Sequence, residues 1–83
     1  SLYPPSPTLS MTVDGSLASL SWTSVSTAES YRLYQDDVFI FELTVLNHTI
    51  DIGTGTNTCF KITAVNALGT ESLFSNELCG EGS

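Results

Sequence analysis

Apolar and polar residues alternate with a period of two along most of the chain, in short runs closed by Gly, Asn, Asp or Ser. Leu9, Met11 and Val13 alternate before Asp14-Gly15, and Ala18, Leu20 and Trp22 alternate after it, which predicts a hairpin with one buried face. SYRLY (30 to 34) and VFIFELT (38 to 44) flank Asp36-Asp37, and HTIDIG (48 to 53) turns Ile50 and Ile52 inward. CFKITAV (59 to 65) and a run near Phe74 to Cys79 complete seven predicted strands. No helical apolar period is sustained over ten or more positions. The predicted class is all-β, a seven-stranded antiparallel β-sandwich, because two sheets packed face to face bury many half-apolar strands in few residues.

Length and charge narrow the function classes. A chain of 83 residues with 41% hydrophobic content is one domain with a modest core, so a covalent staple would matter. Three prolines in SLYPPSP suit a connector, giving a linker over 1–6, a domain over 7–79 and a C-terminal linker or tag remnant over 80–83. Beginning at Ser1 and ending in GEGS, the sequence is expected to be a piece of a longer polypeptide. Nine acidic residues against Arg32 and Lys61 give a net charge of −7, which disfavours nucleic acid and anionic membrane surfaces. No apolar run approaches the ~20 residues of a membrane-spanning helix, so no membrane insertion is expected.

Candidate chemistry is sparse. His48 and the many serines lack a nucleophile elbow or an oxyanion loop, so no catalytic residue is assigned and His48 is expected at the surface beside a strand end. Asp36-Asp37 reads as a hairpin turn, because Asp tolerates positive φ, and not as a metal or acid–base pair. GTGT (53 to 56) lacks the Lys and the helix of a phosphate loop. No cofactor or metal is expected. Asn47-His48-Thr49 fits an N-glycosylation sequon, making Asn47 a candidate modification site in a host with the machinery.

The order LSW (Leu20 to Trp22), SYRLY with Tyr31, FKITAVNALGTES (Phe60 to Ser72) and SNE (Ser75 to Glu77), after the proline-rich PPSP, resembles a fibronectin type III module, an immunoglobulin-like sandwich. The similarity covers nearly the whole chain. It departs at Thr58, where the family commonly has the tyrosine that ties the start of this strand to the preceding loop. Cys59 and Cys79 are the predicted substitute. A hairpin centred on Gly69 sets Cys59 opposite Cys79, Lys61 opposite Glu77, Thr63 opposite Ser75 and Phe60 opposite Leu78, unless a bulge near Ser75 shifts the register. Free thiols or half of a zinc site lack support, since zinc wants four ligands and only His48 adds a nitrogen. A disulfide implies an oxidising compartment, hence a secreted or cell-surface location.

A two-residue turn at Asp36-Asp37 pairs Tyr34 with Phe39, Arg32 with Phe41 and Leu33 with Ile40. With Tyr31 and Leu33 at the family's inward positions, Arg32, Tyr34, Phe39 and Phe41 form an exposed strip able to contact a partner. A one-residue change of register sends Phe39 and Phe41 into the core instead. The resemblance implies a non-catalytic spacer or interaction module of an extracellular multidomain protein, with modules of bacterial polysaccharide-acting enzymes as the nearest likeness. Its partners would be neighbouring domains of the same polypeptide, and the unit is expected to be a monomer. The alternative is a ligand-binding module recognising carbohydrate or protein through the aromatic face.

Overall fold

The computed structural model describes residues 4–83. Ser1, Leu2 and Tyr3 of the expected linker lie outside the described residues. The strands are β1 (Leu9–Asp14), β2 (Leu17–Trp22), β3 (Ala28–Gln35), β4 (Val38–Leu43), β5 (Asn47–Asp51), β6 (Asn57–Asn66) and β7 (Leu78–Glu81). They form a three-stranded sheet in the order β1-β2-β5 and a four-stranded sheet in the order β4-β3-β6-β7, with every pairing antiparallel. No helix occurs among the described residues.

The period of two determines which residues meet between the sheets. Leu9, Ala18, Leu20 and Trp22 from the first sheet face Tyr31, Leu33, Phe60, Ile62 and Ala64 from the second, with Ile52 closing one end. Trp22 and Tyr31 touch across the layers with ring centroids 6.1 Å apart. The Tyr31 hydroxyl accepts from the Val25 amide at 2.9 Å, so its polar tip is satisfied while its ring is buried. Each large side chain fully withdrawn from water contributes about 1.5–3 kcal/mol, and Phe60, Leu20, Leu33 and Ile62 are the largest apolar side chains so withdrawn. Burial fades along β1: Leu9 is buried, Met11 half-buried and Val13 exposed.

Two registers differ from the simple hairpins. In β3–β4, Tyr34 pairs with Phe39 as expected, but Leu33 pairs with Phe41 and Arg32 with Glu42. The predicted pairs Arg32–Phe41 and Leu33–Ile40 are therefore displaced by a bulge at Ile40. In β6–β7, Cys59 does oppose Cys79 and Phe60 opposes Leu78. Beyond them the register slips: the Ser75 amide donates to the Ile62 carbonyl at 2.9 Å, so Ser75 does not face Thr63 and the predicted Lys61–Glu77 pairing is absent from the ladder.

The physical cause lies in two serines. The Ile62 amide donates to Ser75 Oγ and the Ala64 amide to Ser72 Oγ, both at 2.9 Å. Hydroxyls thus satisfy the β6 edge where backbone carbonyls would otherwise do so, and the last strand begins at Leu78 instead of near Phe74.

The described residues of both flanking segments lie on the domain. Pro4 and Pro7 are buried, and Ser6 Oγ donates to the Leu73 carbonyl at 2.9 Å. At the other terminus Gly80 and Glu81 belong to β7, and Gly82 is buried.

Candidate interaction surface

The start of β6 shows what replaces the missing tyrosine. Asp36 and Asp37 form the β3–β4 turn with φ of 51° and 69°, the left-handed conformation that tight hairpins require. That conformation aims the Asp36 carboxylate at β6, where it accepts from Thr58 Oγ1 at 2.9 Å and from the Cys59 amide at 3.0 Å. The Asp36 amide donates to the Cys59 carbonyl at 2.8 Å, and Gln35 Nε2 donates to Thr58 Oγ1 at 3.0 Å. Thr58 is buried beneath this cluster. On the other side of the strand, the Cys59–Cys79 disulfide joins β6 to β7. Glu77 lies within metal-ligand reach of the two sulfurs, but both sulfurs are committed to that bond.

The outer face of the four-stranded sheet carries Arg32, Tyr34 and Phe39 together. Tyr34 packs on Phe39 with centroids 5.9 Å apart and 60° between planes, and edge-on to Phe74 at 4.9 Å and 88°. Phe39 and Phe74 are each 48% exposed. Phe74 was hidden from sequence reasoning because the register slip beyond Leu78 decides which way it faces. The chain's two basic residues both lie here. The Arg32 guanidinium is 5.9 Å from the Phe39 centroid, and Lys61 Nζ is 4.2 Å from that of Phe74.

A carboxylate holds this face in shape. Glu71 accepts from the Tyr34 hydroxyl, from Thr63 Oγ1 at 2.6 Å and from Arg32 at 3.4 Å. Burial works against its charge, but the hydrogen bonds from Thr63 and Tyr34 and the nearby Arg32 outweigh it, leaving the carboxyl below its ordinary pKa. Burial, then the bond to Glu71, raises the Tyr34 phenol. The bond to Asp37 raises Lys61. Glu42 completes the network, accepting from Ser30 Oγ at 2.7 Å and lying 3.7 Å from Arg32.

Phe41 lies elsewhere. It pairs with the buried Leu33, His48 pairs with the buried Leu20, and the Phe41 and His48 rings meet with centroids 4.8 Å apart. The two rings therefore bridge the edge strands β4 and β5 of opposite sheets along the open side of the sandwich, where Phe41 remains 42% exposed. His48, expected at the surface beside a strand end, is half-buried within β5. Asn47 opens β5 in an exposed position, with Thr49 exposed two residues on. It borders a shallow trough of about 340 Å³ on the outer face of the three-stranded sheet, lined mainly by small hydroxyl side chains such as Ser10, Thr12, Ser19 and Ser21.

No family model matches the sequence, and no curated protein does. Solved structures do. A Fn3-like protein from Clostridium thermocellum shares 32% identity over 96% of this chain and 94% of that one, with a TM-score of 0.82. The spore cortex lytic enzyme SleM of Clostridium perfringens matches 95% of this chain at 20% identity and a TM-score of 0.76, using 28% of its own length. A β-1,2-glucanase from Parabacteroides distasonis matches 98% of this chain at 17% identity and a TM-score of 0.83, using 13% of its own length. The fold is shared with all three, and at 32% identity over almost the full length of both chains the Clostridium thermocellum protein shows that this chain belongs to the fibronectin type III family.

Proposed function

We propose that this domain is a non-catalytic spacer and interaction module of an extracellular multidomain protein, with a carbohydrate-active enzyme as its host. The carrying observation is the path of the chain. The Thr8 carbonyl, just before β1, accepts from Thr23 at one end of the sandwich, whereas the Ser83 amide reaches Gly15 at the other end of β1. A body 40 Å long and about half as wide, crossed from end to end, separates whatever it joins. The enzymes named above support the choice of host, because this fold occupies only 28% and 13% of their chains. The disulfide fits an oxidising compartment.

The outer face of the four-stranded sheet supports a second reading, a ligand-binding module for carbohydrate or protein. Its half-exposed aromatic rings and both cations favour that reading. The tilts of 60° and 88° count against a flat sugar polymer, since they offer one ring at a time instead of a coplanar platform. Titrating the isotope-labelled domain with cello-, xylo- and galacturono-oligosaccharides separates the two. The spacer reading expects no amide shifts around Tyr34, Phe39 and Phe74. Saturable shifts there, lost in Phe39→Ser/Phe74→Ser, would establish the binding module instead.

A further inference from the structure

The segment expected to be a trailing linker is instead inserted between two loops. Beyond β7, the Gly82 carbonyl accepts from the Gly55 amide at 2.9 Å in the β5–β6 connection, and the Ser83 amide donates to the Gly15 carbonyl at 2.8 Å in the β1–β2 turn. Those two loops are themselves joined, since the Ile52 amide donates to the Ser16 carbonyl at 2.8 Å. The receiving loop is braced from inside: the Gly53 amide donates to Asp51 Oδ1 at 2.9 Å and Ile52 is buried.

The two glycines of this segment face different neighbours. A Cβ on Gly80 would stand 2.9 Å from Met11 Cε and from Val13 Cγ2, side-chain ends that can move aside. A Cβ on Gly82 would stand 1.6 Å from the Gly53 carbonyl oxygen and 2.8 Å from its carbon, both backbone atoms. Gly53 and Gly55 have φ of 75° and 72°, so the loop has its own backbone requirements and yields only by giving up that shape.

We propose that Gly80–Ser83 act as a strap that locks the β1–β2 turn and the β5–β6 connection together and sets the direction in which any continuing chain leaves the domain, with Gly82 as a position closed to every side chain. Three backbone hydrogen bonds link the strap and the two loops into one unit, so the joint on this side of the module is stiff where a Gly-Glu-Gly-Ser sequence by itself would be loose. The inference concerns the isolated domain and holds whether or not the domain is a spacer.

Backbone relaxation and amide exchange of the 83-residue protein test it. Gly82 and Ser83 are expected to have order parameters near 0.85, as in rigid backbone, and the Gly55 and Ser83 amides to exchange at least about tenfold more slowly than exposed loop amides. Gly82→Ala should remove that protection at Gly55 and Ser83 while leaving the amides of Phe60 and Ile62 unchanged. Should Gly82→Ala fail to fold, deletion of residues 82 and 83 gives the same readout, with the Gly55 amide losing its protection. Order parameters below about 0.6 at Gly82 and Ser83 in the parent protein, or a Gly55 amide whose protection survives either change, would overturn the strap.

Discussion

Asp36 does two jobs that the sequence presents as one. As a turn residue it needs only to tolerate positive φ; in the fold its carboxylate also anchors Thr58 and Cys59. Asp36→Ala should therefore destabilise by about 1–3 kcal/mol, the range for losing charged hydrogen bonds and a favourable turn residue together. Asp36→Asn, which keeps both the φ preference and one acceptor oxygen, should lose less, and Asp36→Gly should fall between them. Urea midpoints of the three variants give the order, and an Ala variant as stable as the parent would refute the anchor. Phe39 and Phe41 provide a second contrast. Phe39→Ser removes a ring from an open face and should leave the melting temperature nearly unchanged, whereas Phe41→Ser also loses the contact with His48 across the two edge strands and, with a ring 42% exposed, should lower it by no more than a few degrees.

Among elements, β6 is the most heavily constrained. It pairs with β3 along most of its length, with β7 at its start, and with the Ser72 and Ser75 hydroxyls at its far end. The disulfide spans a sequence separation of 20, and cross-linking a loop of that size stabilises by about 3 kcal/mol. In a domain of this length that is a large share of the total. Paired denaturant titrations with and without reductant should show a loss of this order, matched by Cys59→Ala/Cys79→Ala; equal midpoints would mean that the Asp36 anchor alone suffices. β4 illustrates how little one turn determines. Its first two pairs follow from Asp36-Asp37, but the bulge at Ile40 places Ile40 and Leu43 against the core, with Phe41 and Glu42 between them.

For the molecule as a whole, the net charge of −7 is unevenly spread. Arg32 and Lys61, the two Lys and Arg residues of the sequence, sit on one face and each is paired with acid. The pH dependence of stability carries the mark of that face. Glu71 is depressed in the fold, so its contribution is present above the unfolded carboxyl pKa of about 4.3 and is lost as pH falls through the lower folded value. Lys61 and Tyr34 are raised. Their contributions hold below the unfolded values of about 10 and fall away as pH rises through the folded ones. Thermal midpoints should be flat between about pH 5 and 9 with respect to these groups. Glu71→Gln should lower the plateau and make the acid limb shallower; an acid limb identical to that of the parent would assign the loss to other carboxylates.

Alternation of apolar residues, turn chemistry and two cysteines at matched distances from a glycine turn were enough to determine the sandwich, its strand count, the inward face of β2, the inward Phe60 of β6 and the sulfur bridge, while the inward positions of β3 followed from the family resemblance. A period of two needs no partner to be read, whereas the bridge holds although the ladder between it and the glycine turn departs from the simple hairpin, with Ser75 against Ile62 and Glu71 against Val65. Only the tertiary structure decided which way Phe41 and Phe74 point, where the last strand begins, how Asp36 reaches Thr58, and that Gly82 is enclosed by backbone. Each of those depends on a single inserted residue or on a contact between segments distant in sequence. One extra residue in a strand reverses the faces that follow it, and whether the insertion occurs is settled by competing hydrogen bonds and packing that no single stretch contains.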